Sequence, residues 1–159
     1  MYKLKINEFS NKEKYKTLSI LIVDDDELSS SYFKKILELR GHCVTTLNEG
    51  IRCVSKINQN QYDLIFMDYH IDDINGDEVT QIIKEDFDNN SVIFAYTGDN
   101  SNDAINKFKD CGMEGALIKP IEVDHLNDIM SILEKDLNSI DKNGLNRISR
   151  RIRGNLLIF

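Results

Sequence analysis

The chain has 159 residues, of which 41% are hydrophobic and 30% charged, and its formal net charge is −7. These values are typical of one globular domain with short appendages. No apolar run approaches membrane-spanning length, and the first residues lack the hydrophobic region of a signal peptide. The three cysteines, Cys43, Cys53 and Cys111, lie far apart without a C-x-x-C pair, which favours reduced thiols. We therefore expect a cytoplasmic protein with no membrane span.

The charge is divided unevenly along the chain. Residues 1–17 carry five lysines and two acids, for a net +3, and residues 138–159 carry five basic residues and one acid, for +4. Residues 18–137 carry ten basic and twenty-four acidic residues, for −14. An acidic body of this kind is unsuited to nucleic acid, so we expect no nucleic-acid binding through the body.

Short apolar runs alternate with amphipathic stretches along the body. Leu28, Tyr32, Ile36 and Leu39 show the helical spacing of the first such stretch, and Asp26 is placed to cap its start. Strands that alternate with single helices form a parallel sheet covered on both faces. The pattern predicts a (βα)5 protein of three layers. The predicted strands are 18–23, 43–46, 63–67, 92–96 and 116–118, and the predicted helices are 27–40, 50–59, one beginning after Gly76, 102–111 and 123–137.

Four of the five predicted strands end on charged or hydroxyl residues. They are Asp24 and Asp25 after the first strand, Asp68 after the third, Thr97 after the fourth and Lys119 after the fifth. Parallel strands point the same way, so these residues are expected to meet at one edge of the sheet, where α/β proteins bind ligands.

The chemistry of these residue types suits a metal ion and a phosphoryl group. Crowded carboxylates repel unless a cation neutralises them, and a set of oxygen ligands favours Mg²⁺. The Thr97 hydroxyl and the Lys119 ammonium can take up charge on a phosphoryl group. One carboxylate could then act as the nucleophile and form an aspartyl-phosphate.

The motifs resemble those of response-regulator receiver domains, the phospho-accepting modules of two-component signalling. The resemblance rests on LIVDDDE, DLIFMDYHI, YTG and ALIKP, which contain the strand-end residues, and on Gly76. It covers about residues 17–138, between a basic arm at 1–16 and a basic extension at 139–159. It implies a flavodoxin-like doubly wound sheet with strand order 2-1-3-4-5.

The resemblance also implies a role for each site residue. Asp68 would accept the phosphoryl group, and Asp24, Asp25, Asp68 and the backbone carbonyl of His70 would hold Mg²⁺. Thr97 and Lys119 would contact the phosphoryl oxygens, and the bond before Pro120 would be cis. The donor would be a phosphohistidine on a sensor or hybrid histidine kinase or on a histidine phosphotransfer protein. The chain would be an enzyme only in catalysing its own phosphorylation and dephosphorylation.

Two positions depart from the receiver pattern. Ala116 stands where receivers commonly carry an aromatic residue that moves with the Thr, and Asp72 stands where they often have proline. Without the aromatic ring, we expect any surface change to centre on residues 98–104. Asp72 and Asp73 would add negative charge near the site, and the His70 side chain is expected on its solvated rim.

Three other functions remain as alternatives. A haloacid-dehalogenase-like phosphatase also uses Mg²⁺ and a nucleophilic Asp, but its second Asp would fall at His70. A flavodoxin-like FMN protein needs a phosphate-binding loop after the first strand, where this chain has four acids. A pseudo-receiver acting only as a binding module would have lost part of the motif set, and none is lost.

The two ends of the chain are less informative. Residues 2–6 alternate briefly and suggest a short strand within the arm. Residues 139–159 contain clustered arginines and end in Leu-Leu-Ile-Phe. This extension could be a frayed end, the start of a longer segment, or a docking or dimerisation element, so a homodimer is possible.

Overall fold

A computed structural model describes residues 16–86, 89–138 and 156–159. Five βα units alternate in this part of the chain, and a sixth strand follows them. The strands are β1 (Ser19–Val23), β2 (Cys43–Leu47), β3 (Leu64–Met67), β4 (Val92–Thr97), β5 (Gly115–Ile118) and β6 (Leu156–Ile158). The helices are α1 (Glu27–Leu39), α2 (Gly50–Ile57), α3 (Gly76–Asp86), α4 (Asn102–Asp110) and α5 (Val123–Asn138).

The strands form a single sheet in the order β2-β1-β3-β4-β5-β6. The first five pair in parallel, and two apolar clusters cover the two faces of the sheet. Helices α1 and α5 contribute to one cluster, and α2, α3 and α4 contribute to the other. The predicted three-layer, flavodoxin-like fold with strand order 2-1-3-4-5 is confirmed.

The inner strands are continuous apolar runs because their side chains point alternately to the two covered faces of the sheet. In β1, Ile20 and Ile22 enter the cluster on the α1–α5 face, and Leu21 and Val23 enter the other cluster. All four are fully buried. Because successive strand residues point to opposite faces, a strand covered on both sides must be apolar throughout.

Local signals in the sequence fix several helix ends. Asp26 caps α1, as predicted, because its carboxylate accepts hydrogen bonds from the backbone N–H groups of Leu28 and Ser29. Gly112 follows α4 with a φ of 93°, a conformation that glycine adopts without steric cost.

The buried face of α1 differs from the predicted one. Of the four apolar residues whose spacing predicts α1, only Ile36 is buried, and Leu28 is 85% exposed. The inward face of α1 instead carries Phe33 and Leu37. In α2, Cys53 lies in the core and Ile51 is exposed.

A buried ionic network connects α5 to the segments that precede β1 and β2, at the amino ends of the strands. Glu134 accepts hydrogen bonds from Arg40 at 2.7 and 2.8 Å, and its Oε1 lies 2.7 Å from Nε2 of His42. Nδ1 of His42 accepts the backbone N–H of Leu18 at 3.2 Å. These bonds lower the pKa of Glu134 to about 2, although burial alone would raise it.

The extension contains the strand that the sequence did not predict. Residues Leu156–Ile158 add to the outer edge of β5 in the antiparallel sense, so part of the 139–159 segment belongs to the sheet. The suggested strand at 2–6 lies outside the described residues. Among the residues that the structure describes, no helix is both long enough and apolar enough to cross a membrane.

Candidate functional site

Three carboxylates meet where β1 and β3 end. Val23 and Met67 are paired in the parallel ladder, and the backbone N–H of Asp68 donates to the carbonyl of Val23 at 2.8 Å. The strands therefore end in register and bring the following acids together. One oxygen from each of Asp24, Asp25 and Asp68 lies within 4.8 Å of the others. Asp24 and Asp68 are buried, and Asp25 is half-buried.

Lys119 joins this cluster from the end of β5. Its Nζ lies 2.8 Å from Oδ2 of Asp24 and 3.2 Å from Oδ2 of Asp68. Its backbone N–H donates to the carbonyl of Thr97 at 2.8 Å, and the peptide bond that follows it, to Pro120, is cis. The ammonium is thus held between two acids on different strands, where it offsets their mutual repulsion.

The surroundings shift the pKa values of both partners. Burial raises the pKa of Asp68, with a further upward effect from the Asp24 charge, and the Lys119 ammonium opposes the rise. Burial tends to lower the pKa of Lys119, but the hydrogen bond to Asp24 and the charge of Asp68 raise it above its ordinary value. The ammonium therefore stays protonated and favours the ionised form of the Asp68 carboxyl.

Thr97 is buried at the last position of β4. Its Oγ1 accepts the backbone N–H of Asp99 at 3.2 Å, so the hydroxyl is engaged with the loop that leads into α4. Because its carbonyl accepts the Lys119 N–H, Thr97 links the backbone of Lys119 to the loop before α4.

Gly76 fixes the loop that follows Asp68. A Cβ atom at this position would collide with the backbone carbonyl of Asp68 and crowd the Met67 side chain. The Gly76 N–H donates to the carbonyl of Tyr69 at 2.9 Å. The glycine therefore lets the chain return close to the backbone of Asp68.

His70 and Asp73 follow Asp68 in the chain but do not join the cluster of carboxylates. His70 lies on the rim, with 69% of its side chain exposed and its Nε2 3.8 Å from Oδ2 of Asp99. Asp73 accepts the N–H groups of Gly50 and Ile51, both at 2.8 Å. Its carboxylate thus binds the start of α2, a role that the sequence analysis missed, because Asp73 and α2 are brought together only by the fold.

Comparison with known sequences decides the family. The profile described as "Response regulator receiver domain" matches residues 20–131. The chain belongs to the response regulator receiver family.

Two relatives of known name show how far the likeness extends. The chain is 31% identical over 121 residues to the transcription factor SKN7 of Saccharomyces cerevisiae, covering 76% of this chain and 19% of that protein. It is 31% identical over 119 residues to the sensor protein EvgS of Escherichia coli, covering 74% of this chain and 10% of that protein. The chain therefore spans about a tenth to a fifth of the length of these relatives.

Solved receiver structures share the fold. A two-component response regulator from Clostridium difficile superposes with a TM-score of 0.71 at 26% identity, covering 77% of this chain and all of that one. A receiver domain from Francisella gives a TM-score of 0.67 at 24% identity, covering 75% and 98% of the two chains. The arrangement of five parallel strands and five helices is therefore that of the receiver family.

One residue next to the receiver site was not singled out from the sequence. The ring of Tyr96 lies beneath Lys119, with Nζ 4.5 Å from the ring centroid. Its hydroxyl is 3.4 Å from Oγ of Ser29 in α1, and its ring packs against Phe33 at a centroid distance of 4.6 Å. Strand alternation places Tyr96 on the same face as Phe94, so its position beside α1 could have been predicted; its contact with Lys119 could not.

Proposed function

We propose that this receiver takes a phosphoryl group from a phosphohistidine onto Asp68 in a Mg²⁺-dependent reaction and signals onward by a conformational change. The observation that carries the proposal is the position of Asp68. Its carboxylate lies 3.2 Å from the Lys119 ammonium and shares a cluster within 4.8 Å with Asp24 and Asp25. This arrangement supports a role for Asp68 as the nucleophile, with Lys119 as a nearby cation and Asp24 and Asp25 as metal ligands.

The donor set suits Mg²⁺. Asp24, Asp25 and Asp68 offer carboxylate oxygens only, and Mg²⁺ is bound in proteins through a few carboxylates together with waters and phosphate. These three side chains would hold the ion, with the backbone carbonyl of His70 as a further ligand. When bound, the ion would neutralise charge on the phosphoryl oxygens and the crowded acids.

The residues of the chain have distinct parts in the transfer. An Asp68 carboxylate oxygen forms a bond to phosphorus as the phosphorus–nitrogen bond of the donor imidazole breaks, and the electron pair stays on that nitrogen. Lys119 pairs with a phosphoryl oxygen in place of one carboxylate. The Thr97 hydroxyl turns from the Asp99 N–H and donates to another phosphoryl oxygen.

The partners follow from the donor chemistry. We infer that the donor is a sensor or hybrid histidine kinase or a histidine phosphotransfer protein, in the cytoplasm, and the relative EvgS is itself named a sensor protein. The net charge of −14 on residues 18–137 makes nucleic acid an unsuitable partner for the body. Catalysis is limited to the phosphorylation and dephosphorylation of the chain itself.

Intact mass spectrometry tests this function. We expect the chain to gain one phosphoryl group when incubated with Mg²⁺ and a small acyl-phosphate donor, and to gain none in EDTA. The Asp68→Asn variant should remain unlabelled. Equal labelling of that variant would contradict the assignment, and an unlabelled wild-type chain would favour a pseudo-receiver that acts only by binding. Continuous hydrolysis of many equivalents of donor would favour a phosphatase.

A further inference from the structure

The outer edge of β5 is covered by a segment distant in the sequence. Residues Leu156–Ile158 form β6, in which Ile158 is paired with Gly115, Leu157 with Ala116 and Leu156 with Leu117. The backbone N–H of Phe159 extends this pairing by donating to the carbonyl of Glu114 at 3.0 Å. We call residues 156–159 the edge segment. Its backbone satisfies hydrogen-bonding groups of β5 that a sheet edge would otherwise expose.

Two small residues in β5 make room for the edge segment. A Cβ atom at Gly115 would collide with the carbonyl of Leu157 and with the ring of Phe94, so only glycine permits this approach. Ala116 is fully buried, and its side chain is a single methyl group. Directly paired residues of neighbouring strands lie on the same face, which places Leu157 beside that methyl group.

Side chains of the edge segment also reach the neighbouring helix layer. Leu157 and Phe159 are partly buried against the apolar cluster that contains Ala104 and Phe108 of α4. Nζ of Lys109, also in α4, lies 5.3 Å from the centroid of the Phe159 ring. The edge segment thus has three kinds of contact: a backbone ladder, apolar packing and a cation over an aromatic ring.

The edge segment is short, which limits the cost of releasing it. A three-residue strand at the edge of a sheet makes few hydrogen bonds, and such elements open locally at a fraction of the global unfolding free energy. Release would expose a row of unpaired backbone groups beside an apolar surface. Edges of this kind accept extended peptides by strand addition.

We propose that the β5 edge, together with Lys109 and the adjoining face of α4, is a binding site for an extended apolar peptide, and that the edge segment occupies it as a reversible intramolecular cap. Its occupant is residues 156–159 of the same chain. The connection from Asn138 to Leu156 can span at most roughly 60 Å, which is long enough for this pairing within one chain. The site does not depend on phosphorylation of Asp68.

A peptide-binding experiment tests the cap. A fluorescent peptide with the sequence of residues 154–159 would be titrated into the wild-type chain and into the Leu157→Asp variant, which should release its own segment. We expect the variant to bind the peptide at least about tenfold more tightly than the wild type. The Leu39→Asp variant is the matched control, because Leu39 is exposed on α1, and it should bind as the wild type does. Equal affinity of the wild type and Leu157→Asp, or no binding to either, would overturn the proposal.

Hydrogen exchange gives a second test that needs no peptide. In Leu157→Asp, the backbone amides of Gly115–Ile118 that face the edge segment should lose protection, and those of β1 should not. Lys109→Ala should leave the sheet intact and remove one cation–π contact. The equilibrium constant for release of the edge segment should then rise only about two- to fivefold. Unchanged β5 protection in both variants would overturn the cap.

The size of the protein in solution shows whether the edge segment pairs with β5 of its own chain or with β5 of a second copy. We expect the wild-type chain to be no larger than Leu157→Asp by light scattering at equal concentration. A wild-type dimer that dissociates in Leu157→Asp would overturn the intramolecular assignment and place the segment on a second copy.

Discussion

The ammonium of Lys119 lies over the ring of Tyr96, 4.5 Å from its centroid, while it pairs with Asp24 and Asp68. An aromatic face attracts a cation, so the ring adds a further attraction for the ammonium beside the two acids. The Tyr96 hydroxyl lies 3.4 Å from Oγ of Ser29. The buried tyrosine thus connects the receiver site to the first turns of α1.

Replacing this ring should slow phosphorylation. We expect Tyr96→Leu to react with an acyl-phosphate donor about three- to tenfold more slowly than the wild type, since the ammonium loses its aromatic support. Tyr96→Phe keeps the ring and should stay within about twofold. Rates of labelling by intact mass would measure both. If Tyr96→Phe is as slow as Tyr96→Leu, the phosphorylation rate depends on the contact between the Tyr96 hydroxyl and Ser29 and not on the aromatic ring.

Asp25 should serve the metal rather than folding. Removing one of three crowded negative charges relieves repulsion, so Asp25→Asn should melt at the same or a higher temperature without Mg²⁺. Its Mg²⁺ affinity should fall at least about tenfold. Calorimetry and thermal melts would measure these effects, with exposed Asp128→Asn as the control. A clear loss of stability without Mg²⁺ would instead assign a structural role to Asp25.

Asp24 is expected to behave differently from its neighbour. Its Oδ1 accepts the backbone N–H of Asp26 at 2.9 Å, and its Oδ2 pairs with Lys119. Asp24 is also nearly fully buried. The Asp24→Asn change should therefore lower both Mg²⁺ affinity and stability, which is why Asp25 is the cleaner test of the metal site.

The positions of the site residues could be predicted because they depend on strand direction. Asp24, Asp68 and Lys119 each follow an apolar run, and parallel strands must end at the same edge. This prediction does not depend on how the side chains pack. The contacts among them, such as the 2.8 Å pair of Lys119 and Asp24, depend on rotamers that the sequence pattern does not determine.

The inward face of α1 shows the limit of periodicity. Leu28, Tyr32 and Leu39 have helical spacing, and so do Phe33 and Leu37 one face away. The second set is buried because Phe33 packs against Phe66 of β3, with centroids 4.7 Å apart. That contact joins residues far apart in sequence, so the choice between the two faces could not be read from the helix alone.

The edge segment was missed for a related reason. Residues 156–159 are a short apolar run that follows a polar, arginine-rich stretch. Their pairing with β5 requires an acceptor edge lined by Gly115 and Ala116. A strand that depends on a distant partner carries little signal of its own.

Acid should remove the stabilisation provided by Glu134. Its folded pKa of about 2 is below the ordinary value of 4.5, so its contribution is complete above about pH 5 and is lost as the pH falls toward 2. The shift corresponds to a contribution on the order of 3 kcal/mol. Urea unfolding should show Glu134→Gln to be less stable than the wild type at pH 7 and nearly equal to it at pH 2. A difference that persists at pH 2 would contradict the ionic explanation.

Thr97 should transmit phosphorylation to the loop before α4. When its hydroxyl turns to the phosphoryl group, the Asp99 N–H loses its acceptor at 3.2 Å. Hydrogen exchange with and without beryllofluoride should therefore change most within residues 97–108 and little around Ala116. The Asp68→Asn variant serves as the control and should not respond. A larger change in 156–159 than in 97–108 would mean that the signal leaves through the extension.

Borohydride trapping tests the central claim most directly. An aspartyl-phosphate is an acyl phosphate, which borohydride reduces so that the modified aspartate becomes homoserine. After incubation with Mg²⁺ and an acyl-phosphate donor, we predict homoserine at position 68 in the peptide map of the wild-type chain, and none when Mg²⁺ is removed. Homoserine at Asp24 or Asp25 in place of Asp68, or a phosphorylated chain without homoserine at any aspartate, would contradict the assignment of Asp68 as the phosphoryl acceptor.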